Sequence, residues 1–121
     1  MRTLFISLAL GAYAVGCTYM ARGPEDYKRD TRAVLETRSG DVKACYDAAL
    51  KQDKNLSGNV IVHFTVEHET GAVKEATVLP ESTAPEALGN CIVNSLNGLT
   101  LDPPDERDGD ATFTWEFAKG A

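Results

Sequence analysis

Hydrophobic periodicity divides this chain into segments that repeat at two different spacings. From Val42 to Leu50 the apolar residues Val42, Cys45, Tyr46, Ala49 and Leu50 fall at i, i+3, i+4, i+7 and i+8. That is one stripe along an amphipathic helix. Across residues 59–69 the period drops to two. Val60, Val62, Phe64 and Val66 alternate with Ile61, His63, Thr65 and Glu67, the signature of a half-buried strand. The break between them is residues 53–55 followed by Leu56-Ser57-Gly58. Glu69-Thr70-Gly71 then reads as a hairpin turn, and residues 72–79 return as a second, antiparallel strand with Lys74 and Glu75 outside. After residues 80–82, Thr83 is expected to cap a second helix whose first turn holds Pro85 and Glu86. Its stripe, Leu88, Cys91, Ile92, Ser95 and Leu96, repeats the spacing of the first, and Gly98 ends it. A third strand is expected over residues 110–117, with Ala111, Phe113, Trp115 and Phe117 on one face.

The order is therefore α-β-β-α-β. It predicts an α+β fold in which a three-stranded antiparallel sheet carries both helices on one face. The other face, with Ile61, His63, Thr65 and Glu67, is polar enough to meet water. Upstream, residues 31–38 also show a helical pattern with Val34 and Leu35 apolar. Ser39-Gly40 weakens that helix, and Asp41 offers a second cap.

The N-terminus has a different character. Arg2 precedes an apolar run from Leu4 to Val15, too short to span a bilayer and suited to an export signal. The run Ala14-Val15-Gly16-Cys17 looks like a bacterial lipobox, although Ala14 stands where leucine is usual. On that reading residues 1–16 are a signal peptide of the lipoprotein type. Cys17 is the lipidated residue, and residues 17–30 form a short polar tether that keeps the domain, residues 31–119, close to a membrane. Thr18, rather than an aspartate, follows the cysteine, which leans toward the outer membrane on the periplasmic side. Simple secretion and an uncleaved anchor over residues 4–21 are the alternatives.

There are three cysteines. If Cys17 is lipidated, Cys45 and Cys91 are left, each within an apolar helical stripe. Export places them where disulfides persist. Pairing would lock the two helices together; two buried free thiols are the other reading.

Composition narrows the partners. The chain has 121 residues with 12 Lys+Arg against 18 Asp+Glu, a formal net charge of -6. That balance argues against nucleic acid, whose phosphates reward clusters of Lys and Arg. No nucleophile elbow, phosphate loop or metal-ligand spacing is present, so neither catalysis nor a metal or other cofactor is expected. His63 and His68 lie five apart on one strand and face opposite sides. The acidic loop over residues 102–110, DPPDERDGD, lacks the ordered spacing of a known calcium loop.

Cys45-Tyr46, Leu56-Ser57-Gly58, the strand through Phe64, the Gly71 turn, Ser82-Thr83 and Cys91 together resemble the AgmX/PglI C-terminal domain, within the wider TonB C-terminal and TolA-like group. The likeness runs over residues 34–118. It implies a TonB C-terminal-like fold and a non-enzymatic envelope protein acting through protein contacts, in gliding motility or envelope transport. In this chain Leu99-Thr100-Leu101-Asp102-Pro103 replaces the family's aromatic-Phe-Pro run. Because TonB-like domains pair through strands, the last strand is the expected edge for a partner, with Thr112, Phe113, Thr114, Trp115 and Glu116 as its contact residues. The alternative is a purely structural subunit of an envelope assembly without peptide recognition.

Overall fold

The alternation in the central strand sets the architecture. The computed structural model describes residues 21–118, which form helices α1 (Pro24–Glu36) and α2 (Ser39–Gln52), strands β1 (Gly58–Val66) and β2 (Val73–Val78), helix α3 (Glu86–Ser95) and strand β3 (Gly109–Phe117). Val60, Val62, Phe64 and Val66 of β1 are buried, while the residues between them are only partly covered. β1 is the middle of an antiparallel sheet ordered β2-β1-β3, and its apolar face is where the helices pack. The expected α+β class, the three antiparallel strands and the hairpin at Gly71 are all present. Cys17 and the segment read as a signal peptide lie outside the described residues.

The α2 and α3 stripes meet as their spacing requires. Cys45 and Cys91 are joined by a disulfide with 5.8 Å between Cα atoms, across a separation of 46 residues. Loop-closure entropy for a ring of that size corresponds to about 4 kcal/mol. Val42 on one helix and Leu88, Ile92 and Leu96 on and just beyond the other complete the core around the bridge. Gly89 lets α3 sit directly on Val78 of β2, since a methyl group there would lie 3.0 Å from that side chain.

Three helices stand where two were expected. Residues 24–30, read as part of a polar tether, are the first turns of α1. Pro24 occupies its first turn, and Glu25 and Asp26 complement its N-terminal dipole. Tyr27, Thr31 and Leu35, at i, i+4 and i+8, form its inward side; Thr31 and Leu35 are buried. The chain is already anchored at Arg22, which is 5% exposed. The Arg22 side chain donates to Asp30 Oδ2 at 2.8 Å and to the Pro103 carbonyl at 2.9 Å, and its backbone N–H donates to Asp105 Oδ2 at 3.1 Å. Asp105 is itself only 2% exposed. A buried carboxylate held this way is costly to strip of its partner, about 3–5 kcal/mol.

Two local expectations change as well. α2 starts at Ser39 and has no side-chain cap, so Asp41 lies within its first turn. Thr83 does not cap α3 either; that helix starts after Pro85 without a side-chain cap. Thr83 instead ties the α3 approach to β1: its Oγ1 accepts from the Asn59 N–H at 2.9 Å.

The segment replacing the expected aromatic run closes the sheet on one side. Leu99 and Leu101 are buried. Thr100 forms an antiparallel bridge with Ala72. The Val73 N–H donates to the Leu99 carbonyl at 3.0 Å and the Leu101 N–H to the Gly71 carbonyl at 2.7 Å. Gly71 has φ +74, and a Cβ there would collide with the Leu101 carbonyl, so glycine serves both the turn and this close approach.

Candidate interaction site at the sheet edge

β3 runs for nine residues in unbroken register with β1, from Gly58 opposite Phe117 to Val66 opposite Gly109. It is an edge strand. Such a strand carries a row of backbone groups that no neighbour uses on its outer side. Thr112, Thr114 and Glu116 point to the exposed face; Phe113 and Trp115 belong to the helix-covered face but are only half-buried. All five residues read from the sequence as the contact strip therefore lie on this edge.

The half-buried aromatics are organised. Phe113 and Trp115 meet edge to face with ring centroids 4.7 Å apart, a favoured arrangement for two quadrupoles. Phe117 stacks on Tyr46 of α2 at 4.7 Å. The Tyr46 hydroxyl donates to the Ala118 carbonyl at 3.3 Å, which holds the far end of β3 against the helix layer. Arg32 of α1 places its guanidinium 5.1 Å above the Phe113 ring, close enough for cation–π attraction.

The opposite end of β3 is held by histidines and acids. His68 donates its backbone N–H to Asp108 Oδ1 at 2.8 Å, and its Nδ1 lies 2.6 Å from the same oxygen. That hydrogen bond raises the His68 pKa and lowers that of Asp108. His63 Nε2 lies 3.5 Å from Asp110 Oδ1. The acidic loop thus sends Asp105 inward to Arg22 and Asp108 outward to His68, away from any shared centre. Among the described residues, no group of three or more His, Cys, Asp or Glu could hold a metal ion.

Between α1 and the first half of β3 lies a cleft of about 540 Å³, lined by Tyr27, Thr31, Arg32, Leu35, Phe64 and Phe113 among others. The small residues Gly109 and Ala111 form its strand side. Gly109 admits the Tyr27 hydroxyl so closely that a Cβ would overlap it. Burial, and then the Asp105 charge, push the Tyr27 phenol up. Reading the sequence missed this cleft because the first turns of α1, residues 24–30, were read as tether; Pro24, the acidic pair behind it and the Tyr27-Thr31-Leu35 spacing were their signals.

Among the described residues, no helix is long and apolar enough to cross a membrane. No family model matches the chain and no curated protein does so. Among solved structures, it is similar to the C-terminal domain of TonB from Helicobacter pylori, residues 179–285, determined by NMR in solution. The two share 17% identity over 64% of this chain and 77% of that one, with a TM-score of 0.47.

Proposed function

We propose that this chain is a non-enzymatic lipoprotein of the cell envelope, anchored through Cys17 on the periplasmic side, at the outer membrane, whose domain takes a strand from a partner protein along β3. The process it serves is of the motility or envelope-transport class that the AgmX/PglI resemblance implies. The observation that carries the reading is the state of β3: long, regular, backed by half-buried aromatics and without a strand beyond it among the described residues. Main-chain pairing to such an edge is an established mode of peptide capture. The disulfide fits an exported domain, and the lipobox-like run ending at Cys17 supplies the anchor.

Photocrosslinking in intact envelopes tests it. A photoreactive residue at Thr112 or Thr114 on β3 is expected to give discrete protein adducts. The same residue at Thr77 on β2 is expected to give none. Equal adducts from both strands, or none from β3, would defeat the reading.

A further inference from the structure

Less of the N-terminal segment is free than its polarity suggests. Of residues 17–30, the folded domain takes in residues 22–30. Arg22 is nearly inaccessible, and so is its partner Asp105. The Arg22 backbone N–H and its Nη1 both reach Asp105 Oδ2, at 3.1 and 3.5 Å, and its Nε donates to Asp30 Oδ2 at 2.8 Å. A buried pair of this kind is costly to separate, so the chain is fixed from Arg22 onward. Cys17 lies five residues earlier. Fully extended, that stretch reaches about 17 Å at most.

The bound acts at one pole of the domain. The Arg22 cluster joins the start of α1 to residues 103–105, and Asp108, just beyond, holds His68. Val66, the last residue of β1, lies opposite Gly109, the first of β3. The hairpin turn over residues 67–71, the loop over residues 102–108 and the start of α1 therefore share this pole. Gly58 opposite Phe117 marks the other pole, and the α2–β1 connection containing Lys54 leads into it. β1 has nine residues, which puts the poles about 27 Å apart. A small domain is about 30 Å across, so it cannot turn its far pole to a bilayer within a gap of about 17 Å.

We infer that the domain stands on the lipid headgroups by its Arg22 pole, with β3 rising away from the membrane from Gly109 to Phe117. The surface it faces is the headgroup layer of the bilayer that holds Cys17. Glu69, Asp102 and Glu106 are exposed at this pole, and the chain is acidic overall. Attraction to anionic lipid therefore does not supply the orientation; covalent length does. The β3 edge is offered between the headgroups and about 45 Å above them, the reach of the tether plus the length of the strand. A partner has to present its strand within that distance of the same membrane. This inference rests on the Cys17 anchor of the proposed function and adds which way the domain faces.

Energy transfer to the membrane tests it. The lipidated chain is reconstituted in vesicles of phosphatidylethanolamine and phosphatidylglycerol that carry an acceptor dye on their headgroups. A donor dye is attached through Glu69→Cys or Glu106→Cys at the near pole, or through Lys54→Cys at the far one. All three positions are exposed, and Cys45 and Cys91 are held in their disulfide. Transfer from Lys54→Cys is expected to be less than about half of that from either near position, given a height difference of about 27 Å. The contrast should not change with added salt, which screens surface charge but leaves a covalent tether intact. Inserting about twenty Gly/Ser residues between Ala21 and Arg22 adds a flexible coil of about 25 Å. That insertion is expected to remove most of the contrast with the melting temperature unchanged. Equal transfer from both poles, in a chain that floats with the vesicles, would overturn the orientation and leave the anchor standing. A contrast undiminished by the long tether would overturn covalent length as its cause. A chain that does not float with the vesicles would overturn the anchor, and the orientation with it.

Discussion

The two edges of the sheet are built to opposite ends. β2 is six residues long and pairs with β1 through a bulge, where the register slips between His63 and Thr65. Glu75 sits in that bulge with φ +55, and its neighbour Lys74 is also exposed. One end of the strand is strapped by residues 99–101, and Val78 at the other lies under α3. A short, bulged, charged and covered edge is how proteins prevent unwanted pairing. β3 carries exposed charges only near its ends, at Asp110 and Glu116, and has neither bulge nor strap: it is nine residues long, in constant register, and its half-buried aromatics face the helices. On the proposed reading, the protected edge is where pairing is prevented and the regular one is where a partner strand is taken.

The largest way to break this contrast is to open the protected edge. Gly71→Ala places a Cβ against the Leu101 carbonyl at a residue with positive φ. The left-handed conformation costs about 1–2 kcal/mol for a non-glycine residue. Each of the two strap hydrogen bonds, Val73 to Leu99 and Leu101 to Gly71, adds about 1 kcal/mol if lost. A destabilisation of about 3 kcal/mol is expected in urea unfolding. Freed of its strap, β2 should also give photocrosslinks at Thr77. Full stability with silent Thr77 would show that the strap is not what guards this edge.

The contrast was only half legible beforehand. Period-two alternation named β1, glycine named the hairpin, and the matched cysteine stripes named the helices that meet, because each signal is local. β3 was readable as a strand from Phe113, Trp115 and Phe117, but its strand order was not. The strap was not readable either: Leu99 and Leu101 look like loop residues until Ala72 is placed beside Thr100. The first turns of α1 were hidden for the same reason. Its inward side includes Thr31, and its anchor is a charge, Arg22, whose partner Asp105 lies 83 residues away. Polar burial justified by a distant partner leaves no periodic trace. The acidic loop clusters its carboxylates in sequence, but their partners differ: Asp105 turns to Arg22 and Asp108 to His68.

A smaller effect sharpens the account of β2. Glu75 holds a positive φ that glycine adopts without steric cost. Glu75→Gly is therefore expected to stabilise the protein by up to about 1 kcal/mol, the relief of the left-handed conformation less the added freedom of the unfolded chain. The bulge should remain, so the crosslinking contrast between Thr77 and Thr114 should not change. Thermal melting measures the first part. A loss of stability would mean that the Glu75 side chain supplies more than its backbone costs.

The smallest effect concerns how the start of β3 is held. His68, just beyond β1, grips Asp108, just before β3, through two hydrogen bonds to one carboxylate oxygen. The His68 pKa is raised above its ordinary 6.5 by this bond. Stability from that source is fully present below the unfolded histidine value and is lost as pH rises through the raised folded one. Asp108 has its pKa lowered from 3.8 by the same contact, so its contribution is present above that value and is lost as pH falls through the depressed one. The clasp should therefore be strongest in mildly acidic solution, between the two ordinary values. Both groups are exposed, so the difference should be small and sensitive to salt. In His68→Ala, which keeps the backbone N–H bond and loses only the ring contact, the melting-temperature deficit relative to the parent chain should be greatest near pH 5 and shrink toward pH 8 to what the neutral ring supplies. Glu75→Gly should show no such dependence, since a backbone conformation does not titrate. A His68→Ala deficit that is flat with pH would remove charge from the account of this end of β3 and leave only the neutral hydrogen bonds to position the edge.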